Sequence, residues 1–502
     1  MSGITNSRPA RISDPAGLLF AVLTAAIVSA LSIWFFHHTG STLYFGDAES
    51  HLNTARRIVD SRTPGYDQLG SPWLPLPHIL MLPFIGNMTL WRTGLAGSIP
   101  SGACFIAAAG FLYAATFRIF RSRMAAGSTT AAFVLNPNAL YLQSVPMTES
   151  AFFCALLGLL YFTVVFEQTR TLAAVAGIGT MALAGTLTRY EGWFLLPFVA
   201  LFLLLAGSGR RLTSTLLFSV IAALGPLWWF SYNWWYFGSA LYFYNGPYSA
   251  KAIQGAASYP GKNDWITAAR YFFMAAKLVM GTPLFWIGFV GLAAACMRRA
   301  FWPVLLLSLP PVFYVWSMHS SGNPIFMPVP PHPYSWYNTR YGLAALPLFA
   351  FCSGALASLF PARIAPALVL LAVSPWALQP RKANWITWKE SEVNSEARRA
   401  WTHQAAAYLR ANFRKGDTIF TNFSDITAVY RESGIPLRKT FTGDNGLEWQ
   451  AAVLRPDLFL RDQWAISTGG DQVEAAAARS SDYKLVRQIE VKDAPAIGIY
   501  RR

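Results

Sequence analysis

Acidic residues are almost missing from the first three quarters of the chain. Through residue 380 there are nine: Asp14, Asp47, Glu49, Asp60, Asp67, Glu149, Glu167, Glu191 and Asp264. Ionisable groups are costly at membrane depth, so the few that persist in an apolar chain are functional candidates. Cysteine is equally sparse. Cys104, Cys154, Cys296 and Cys352 all fall in apolar segments at no metal-ligand spacing, which leaves them as small hydrophobes. An internal repeat and low-complexity segments are also lacking, and residues 381–502 hold no phosphate-binding glycine loop. The formal charge is +16, yet the basic residues are scattered between apolar runs rather than clustered with exposed aromatics. That excludes nucleic acid as the partner and points to membrane topology.

What is present fixes the class. The 502 residues are 54% hydrophobic and only 13% charged. Apolar runs of roughly 18 residues or more, enough to span a bilayer as helix, recur along the chain. The sequence therefore predicts a polytopic α-helical membrane protein. The run Gly17 to Phe36 is too long for a signal-peptide core and has no convincing cleavage site before Tyr44, so it reads as a retained first span. About eleven spans are expected: 17–36, 91–117, 125–143, 149–167, 171–187, 191–207, 212–236, 272–296, 301–318, 341–359 and 365–379. With a cytoplasmic N-terminus the inner loops, carrying Arg8, Arg11, Arg118, Arg121, Arg123, Arg170 and five later arginines, hold a net +9. The outer side up to residue 380 holds +3, the asymmetry that the positive-inside rule requires.

The segment Trp73 to Asn87 is apolar, but counting it as a span would reverse every later loop. Prolines 72, 75, 77 and 83 also argue against one continuous helix. It is expected as an interfacial or re-entrant element within a long first outer loop, 37–90, after an amphipathic helix from about Ala48 to Asp60. The other outer pieces are Pro146 to Glu149, Thr188 to Trp193, Phe237 to Ala269, and His319 to Thr339 with Pro324, Pro328, Pro330, Pro331 and Pro333. Residues 1–380 thus form a transmembrane domain. Residues 381–502 carry 19 Lys or Arg and 15 Asp or Glu, more charge than the 380 before them. They read as a small soluble α/β domain with a helix near 395–413, strands near 418–423, 463–467, 484–491 and 496–500, and a helix at 472–479.

The acids concentrate in Tyr44-Phe45-Gly46-Asp47-Ala48-Glu49-Ser50-His51, just past the first span. Together with Trp73-Leu74-Pro75-Leu76-Pro77-His78 and the late run from Arg340-Tyr341-Gly342-Leu343 to Pro347, this layout resembles the GT-C superfamily of membrane glycosyltransferases. It is most similar to bacterial members of the protein O-mannosyltransferase and lipid A aminoarabinose transferase type, glycosyltransferase family 39-like. An alanine separates the two acids here, where many relatives have adjacent Asp-Glu.

The resemblance implies transfer of a sugar from a polyprenyl-phosphate donor to an acceptor (protein, lipid or polysaccharide), with inversion, at the outer face of a bacterial inner membrane. The C-terminal domain would lie outside. A carboxylate desolvated at the bilayer edge suits the base that takes the acceptor's proton, and Asp47 is the candidate, with Glu49 second. Arginine suits the departing phosphate because its forked donors match a dianion. Arg189 and Arg340 are the candidates, with His78 as a further phosphate donor and Glu149 and Glu191 nearby. Mg²⁺ or Mn²⁺ is an open question, since Asp47 and Glu49 alone make a sparse oxygen site.

Each residue has a structural reading beside this one. Asp47 would cap the helix that follows it, Glu49 would complement the helix dipole, Arg189 would pair with Glu191, Glu149 would cap span four, and Arg340 would snorkel to the headgroups. A polyprenyl-lipid or sugar transporter or flippase would also use charges within the membrane, but here they gather at one edge with no half-to-half repeat.

Overall fold

A computed structural model of the chain describes residues 13–207, 209–327, 336–378 and 384–502. Arg8 and Arg11 of the inner end, Pro328, Pro330, Pro331 and Pro333 of the outer loop, and the 380/381 boundary lie outside those residues.

Every expected span is helical, but not every one is a full crossing. Among the described residues six helices are long and apolar enough to cross a membrane: Pro15–His38, Leu95–Phe120, Glu149–Thr169, Arg211–Phe237, Phe301–Ser320 and Thr339–Ala357. Leu172–Thr186, Glu191–Ala206 and Ala365–Leu378 are apolar but only 14 to 16 residues long. At 1.5 Å per residue they reach about 21 to 24 Å, short of the roughly 30 Å hydrocarbon core.

Two expected spans are broken helices. The segment 125–143 divides into Arg123–Val134 and Pro137–Gln143, where the Asn136 side chain accepts the amides of Asn138 and Ala139 ahead of a first-position proline. The segment 272–296 belongs to two helices, Trp265–Met280 and Thr282–Met297, bent by 114°. They meet at Gly281, whose φ of +77° is open to glycine and strained for other residues. Counting that pair as one span gives seven.

The bundle has two distinct ends. Asp14, at the start of the first span, accepts Arg123 Nη2 at 2.7 Å and Tyr113 OH at 2.9 Å, which ties residues 14 and 113–123 together at one end. The long first loop, the 187–190 turn and the C-terminal sheet lie at the other. In that loop Leu76–Ile85 is a ten-residue helix, too short to span. Its approach is pinned to neighbouring helix ends: the Leu76 amide donates to the Leu187 carbonyl at 2.9 Å, Tyr190 OH to the Pro72 carbonyl at 3.2 Å, and Ser71 Oγ to Asn233 Oδ1 at 3.0 Å.

The acid-bearing helix runs Gly46–Val59 and is not the one-sided interfacial helix its pattern predicts. Both faces are buried, because Glu49, Asn53, Arg56 and Arg57 are covered as fully as Leu52 and Ala55. The C-terminal unit supplies the cover. Arg438 reaches Asp60 at 2.8 Å and Asp444 reaches Arg57 at 2.5 Å, while Arg56 and Asp60 pair within the loop at 2.6 Å.

That unit holds a five-stranded sheet of β1 (Ile419–Thr421), β2 (Thr440–Phe441), β3 (Trp464–Thr468), β4 (Lys484–Ile489) and β5 (Ile497–Arg501) in the order β2-β1-β3-β5-β4. The first three strands are parallel and β5 is antiparallel to both neighbours. Its leading helix begins earlier than the sequence predicts. Ile386–Asn412 is continuous for 27 residues, and its first turns are buried against the membrane helices, where Thr387 donates its amide to Asn138 Oδ1 at 2.9 Å and Ser391 Oγ meets Tyr141 OH at 2.7 Å.

The Arg340 turn, Thr339–Ala345, is a 3-10 helix packed on Trp265–Met280. A Cβ at Gly342 would sit 2.5 Å from the Ala276 amide nitrogen and 2.6 Å from the Ala275 carbonyl carbon, both backbone atoms that cannot swing away. Gly342→Val is therefore expected to cost about 1–3 kcal/mol as overpacking, read as a lower thermal midpoint in detergent. An unchanged midpoint would mean that the two helices can separate freely.

Candidate active site

Segments far apart in sequence converge at the outer end of the bundle. Asp47 comes from the first turn of Gly46–Val59, Glu149 from the start of Glu149–Thr169, Arg189 and Glu191 from the turn between two short helices, Tyr314 from Phe301–Ser320, and Arg340 from Thr339–Ala345. Arg340 Nη2 hydrogen-bonds Asp47 Oδ2, and Arg340 Nε lies 3.6 Å from Glu149 Oε1. Arg189 Nη1 reaches the same Glu149 oxygen at 3.3 Å and Thr148 Oγ1 at 2.5 Å. Its Nε donates to Glu191 Oε1 at 2.7 Å and its Nη2 to Tyr314 OH, which in turn donates to Glu191. One chain of charged contacts therefore runs Asp47, Arg340, Glu149, Arg189, Glu191.

The two arginines differ in what they have left to give. Every nitrogen of Arg189 has a partner. Arg340 Nε is buried with no hydrogen bond, because 3.6 Å is beyond hydrogen-bonding distance, and Glu149 Oε2 is likewise buried and unpaired. A buried charged group with spare donors is a place where a ligand improves the balance. Phe45 and Tyr341 cover the Arg340 guanidinium, their ring centres 4.9 and 5.5 Å from its central carbon.

Asp47 does not cap its helix, since no side chain bonds to the first-turn amides. Nor is it desolvated as its position at the bilayer edge suggests: its side chain is 42% exposed. It faces solvent on one side and a guanidinium on the other. Glu49 points elsewhere. It is 2% exposed and accepts Asn53 Nδ2 at 2.9 Å and, from the C-terminal unit, Arg431 Nε at 2.6 Å. Arg431 also donates to the Arg92 carbonyl at 2.7 Å. The two acids therefore have different partners, Arg340 and Arg431, and among the described residues no three His, Cys, Asp or Glu side chains are disposed to hold a metal ion.

His78 is fully buried beside His51, with His51 Nδ1 and His78 Nε2 2.9 Å apart. Burial lowers the pKa of both, to about 3 for His51 and well below the ordinary value for His78, so both are neutral at physiological pH. His78 therefore brings no charge to a phosphate.

Sequence reasoning missed three participants. Glu390, on the long C-terminal helix, accepts the Thr339 amide at 3.0 Å and the Thr339 hydroxyl, fixing the residue before Arg340. Burial raises its pKa, against the opposing pull of Arg340. Arg431 clamps Glu49, and Asp425 lies beside Gly46, its Oδ1 4.0 Å from where a Cβ there would be. All three sit in a segment whose even mixture of charges reads as a solvated surface, and no local motif singles them out.

Arg431→Gln would leave Glu49 buried without its cation. Amide hydrogen exchange is expected to rise by about tenfold in Gly46–Val59 and to stay unchanged in the sheet, for a local opening cost lower by about 1.4 kcal/mol. Equal exchange in both proteins would remove the clamp from the argument.

No protein-family model and no curated protein sequence matches the chain. Solved structures do. ArnT from Cupriavidus metallidurans bound to undecaprenyl phosphate aligns with a TM-score of 0.58 at 14% identity, covering 97% of this chain and 98% of that one. ArnT from the same organism in the apo state gives 0.53 at 14% identity, over 95% and 97%. The chain thus shares, over nearly its whole length, the fold of these ArnT structures.

Proposed function

We propose that this protein is a membrane glycosyltransferase that moves a sugar from a polyprenyl-phosphate donor to an acceptor, with Asp47 as general base and Arg340 as the phosphate ligand. The observation that carries the reading is the direct contact between these two residues, with one Arg340 nitrogen left without a partner.

The chemistry follows from that contact. The donor's phosphodiester, a monoanion, competes with Asp47 for Arg340, and charge-assisted bonds from a guanidinium fork favour the phosphate increasingly as cleavage leaves it a dianion. As Arg340 turns to the phosphate, Asp47 loses its cation and becomes free to accept a proton. The acceptor's hydroxyl or amine then attacks the anomeric carbon, giving its proton to Asp47. The bond from that carbon to the phosphate oxygen breaks, and its electron pair stays on the phosphate beside Arg340. Attack from the face opposite the leaving group inverts the anomeric centre.

Arg189, whose partners are Glu149, Glu191, Thr148 and Tyr314, is assigned in this reading to holding the helix ends in register, with Arg340 as the phosphate ligand. Glu149 couples the two arginines. The arginine-rich loops at the opposite end support an orientation with the N-terminus in the cytoplasm and the site outside.

The test is sugar release by purified protein in detergent from a panel of polyprenyl-phosphate sugars with mixed acceptors. Release and transfer by the wild type identify the donor. Lipid translocation in vesicles without any release would instead make the protein a flippase.

A further inference from the structure

We propose that the first turns of the C-terminal unit's leading helix, Ile386–Asn412, act as a strut that sets the spacing between Asp47 and Arg340, with Glu390 and Arg398 as its positioning residues. The inference rests on Asp47 and Arg340 being the base and the phosphate ligand. Each end of the strut grips the backbone just before one member of that pair.

On the Arg340 side, Glu390 is 1% exposed and accepts the amide of Thr339 at 3.0 Å together with its hydroxyl. One helical turn later, Asn394 Nδ2 donates to the Trp336 carbonyl at 2.7 Å. Between these anchors Asn338 stands at a φ of +56°, a left-handed backbone that asparagine tolerates better than most residues, and its Nδ2 donates to the Pro324 carbonyl at 3.0 Å. The chain entering Arg340 is thus held by the helix at two points.

On the Asp47 side, Arg398 Nη2 donates to the Tyr44 carbonyl at 2.7 Å and to the Leu43 carbonyl at 3.3 Å. Arg399 lies over the Tyr44 ring, 4.0 Å from its centre. Ser391 Oγ meets Tyr141 OH, which donates to the Ser41 carbonyl at 3.0 Å. No side chain caps Gly46–Val59, so these carbonyl contacts, rather than a cap, locate the start of the helix that carries Asp47.

Residues 390, 394 and 398 recur every four positions and so share one stripe of the helix. At 1.5 Å per residue the two ends lie about 12 Å apart along its axis. A helix of that length is stiff, so the two gripped segments keep one separation. That matters once a phosphate takes Arg340 from Asp47. The attraction between the pair is then lost, while the contacts of Glu390, Asn394 and Arg398 involve neither reacting side chain and persist.

The experiment measures single-turnover sugar release and undecaprenyl phosphate binding on the full chain in detergent, at a temperature where every variant is folded. Displacing reacting groups by about 1 Å costs up to roughly 10²-fold, so Arg398→Ala is expected to slow release about tenfold. Its lipid binding should match the wild type, because Glu390 still holds the Arg340 turn. Glu390→Ala is expected to slow release by a similar factor and also to weaken lipid binding, because it frees that turn. Substitutions so far apart with no shared partner normally add, which for the double variant means a roughly hundredfold loss. Cutting the second end of a strut removes nothing more, so the double variant is expected to stay near the loss of the worse single one. Glu390→Gln, whose amide oxygen still accepts the Thr339 amide, and Arg398→Lys, which keeps a donor for one carbonyl, should each recover part of the rate and guard against a folding failure of the alanine variants. A hundredfold loss in the double variant would make the two residues separate structural contacts and overturn the strut, as would unchanged release in either alanine variant. A wild type that releases sugar from no donor would bring down the transferase reading and the strut with it, a pattern distinct from defects confined to the variants.

Discussion

Asp47→Asn is expected to slow sugar transfer by roughly 10³-fold, within the range that positioned general bases contribute, while undecaprenyl phosphate binds at least as tightly as before. The opposite directions follow from the Asp47–Arg340 contact. Asparagine keeps the shape and removes the negative charge, so the chemical step loses its base and the phosphate loses its competitor for Arg340. A pair of charges about 4 Å apart is worth about 1 kcal/mol even in bulk water, so a several-fold gain in lipid affinity is within reach. The substitution also spares the fold, because Asp47 makes no cap bond and its side chain is 42% exposed. Single-turnover release measures the first effect and lipid titration the second. A variant that transfers at the wild-type rate would move the base elsewhere. One that loses turnover and lipid affinity together would make Asp47 part of the framework rather than the base.

The sequence shows the placement of the acids more clearly than their partners. Scarcity exposes Asp47, Glu149 and Glu191, because a carboxylate in an apolar chain stands out against its surroundings, and the structure brings these three to one place with Arg189 and Arg340. The same scarcity singles out Glu49. Two residues apart on a helix, however, means nearly opposite faces, and the face Glu49 occupies is claimed by Arg431, 382 positions later. Span positions follow from hydropathy, since every expected segment is helical. The breaks at Asn136-Pro137 and Gly281 do not, because a window average passes over one residue of special backbone geometry. The charged C-terminal helix is misleading for a related reason. Composition marks where solvent exposure predominates, yet Thr387, Glu390 and Ser391 lie buried against the membrane helices in the first turns of a helix whose later part is charged.

Arg189→Met is expected to destabilise the protein by about 3–5 kcal/mol, the usual cost of stranding buried charges. Glu149 and Glu191 are 8% and 5% exposed at the side chain, and Arg189 is the cation nearest to both. Without it two carboxylates and the Tyr314 hydroxyl face one another, and Arg340 at 3.6 Å from Glu149 neutralises only one of them. Lysine is a poor substitute, because one ammonium cannot reach Thr148, Glu149, Glu191 and Tyr314 from a single position, where the guanidinium fork does. Arg189→Met combined with Glu191→Gln should regain part of the lost stability, since the second change removes the charge that the first one strands. The thermal midpoint in detergent reads both, with undecaprenyl phosphate binding measured beside it at a temperature where the variants are folded. If Arg189 holds helix ends, the double variant recovers its midpoint and binds the lipid nearly as the wild type does. If Arg189 is itself a phosphate ligand, the double variant recovers its midpoint and still fails to bind, and the phosphate site must then be drawn around both arginines rather than Arg340 alone.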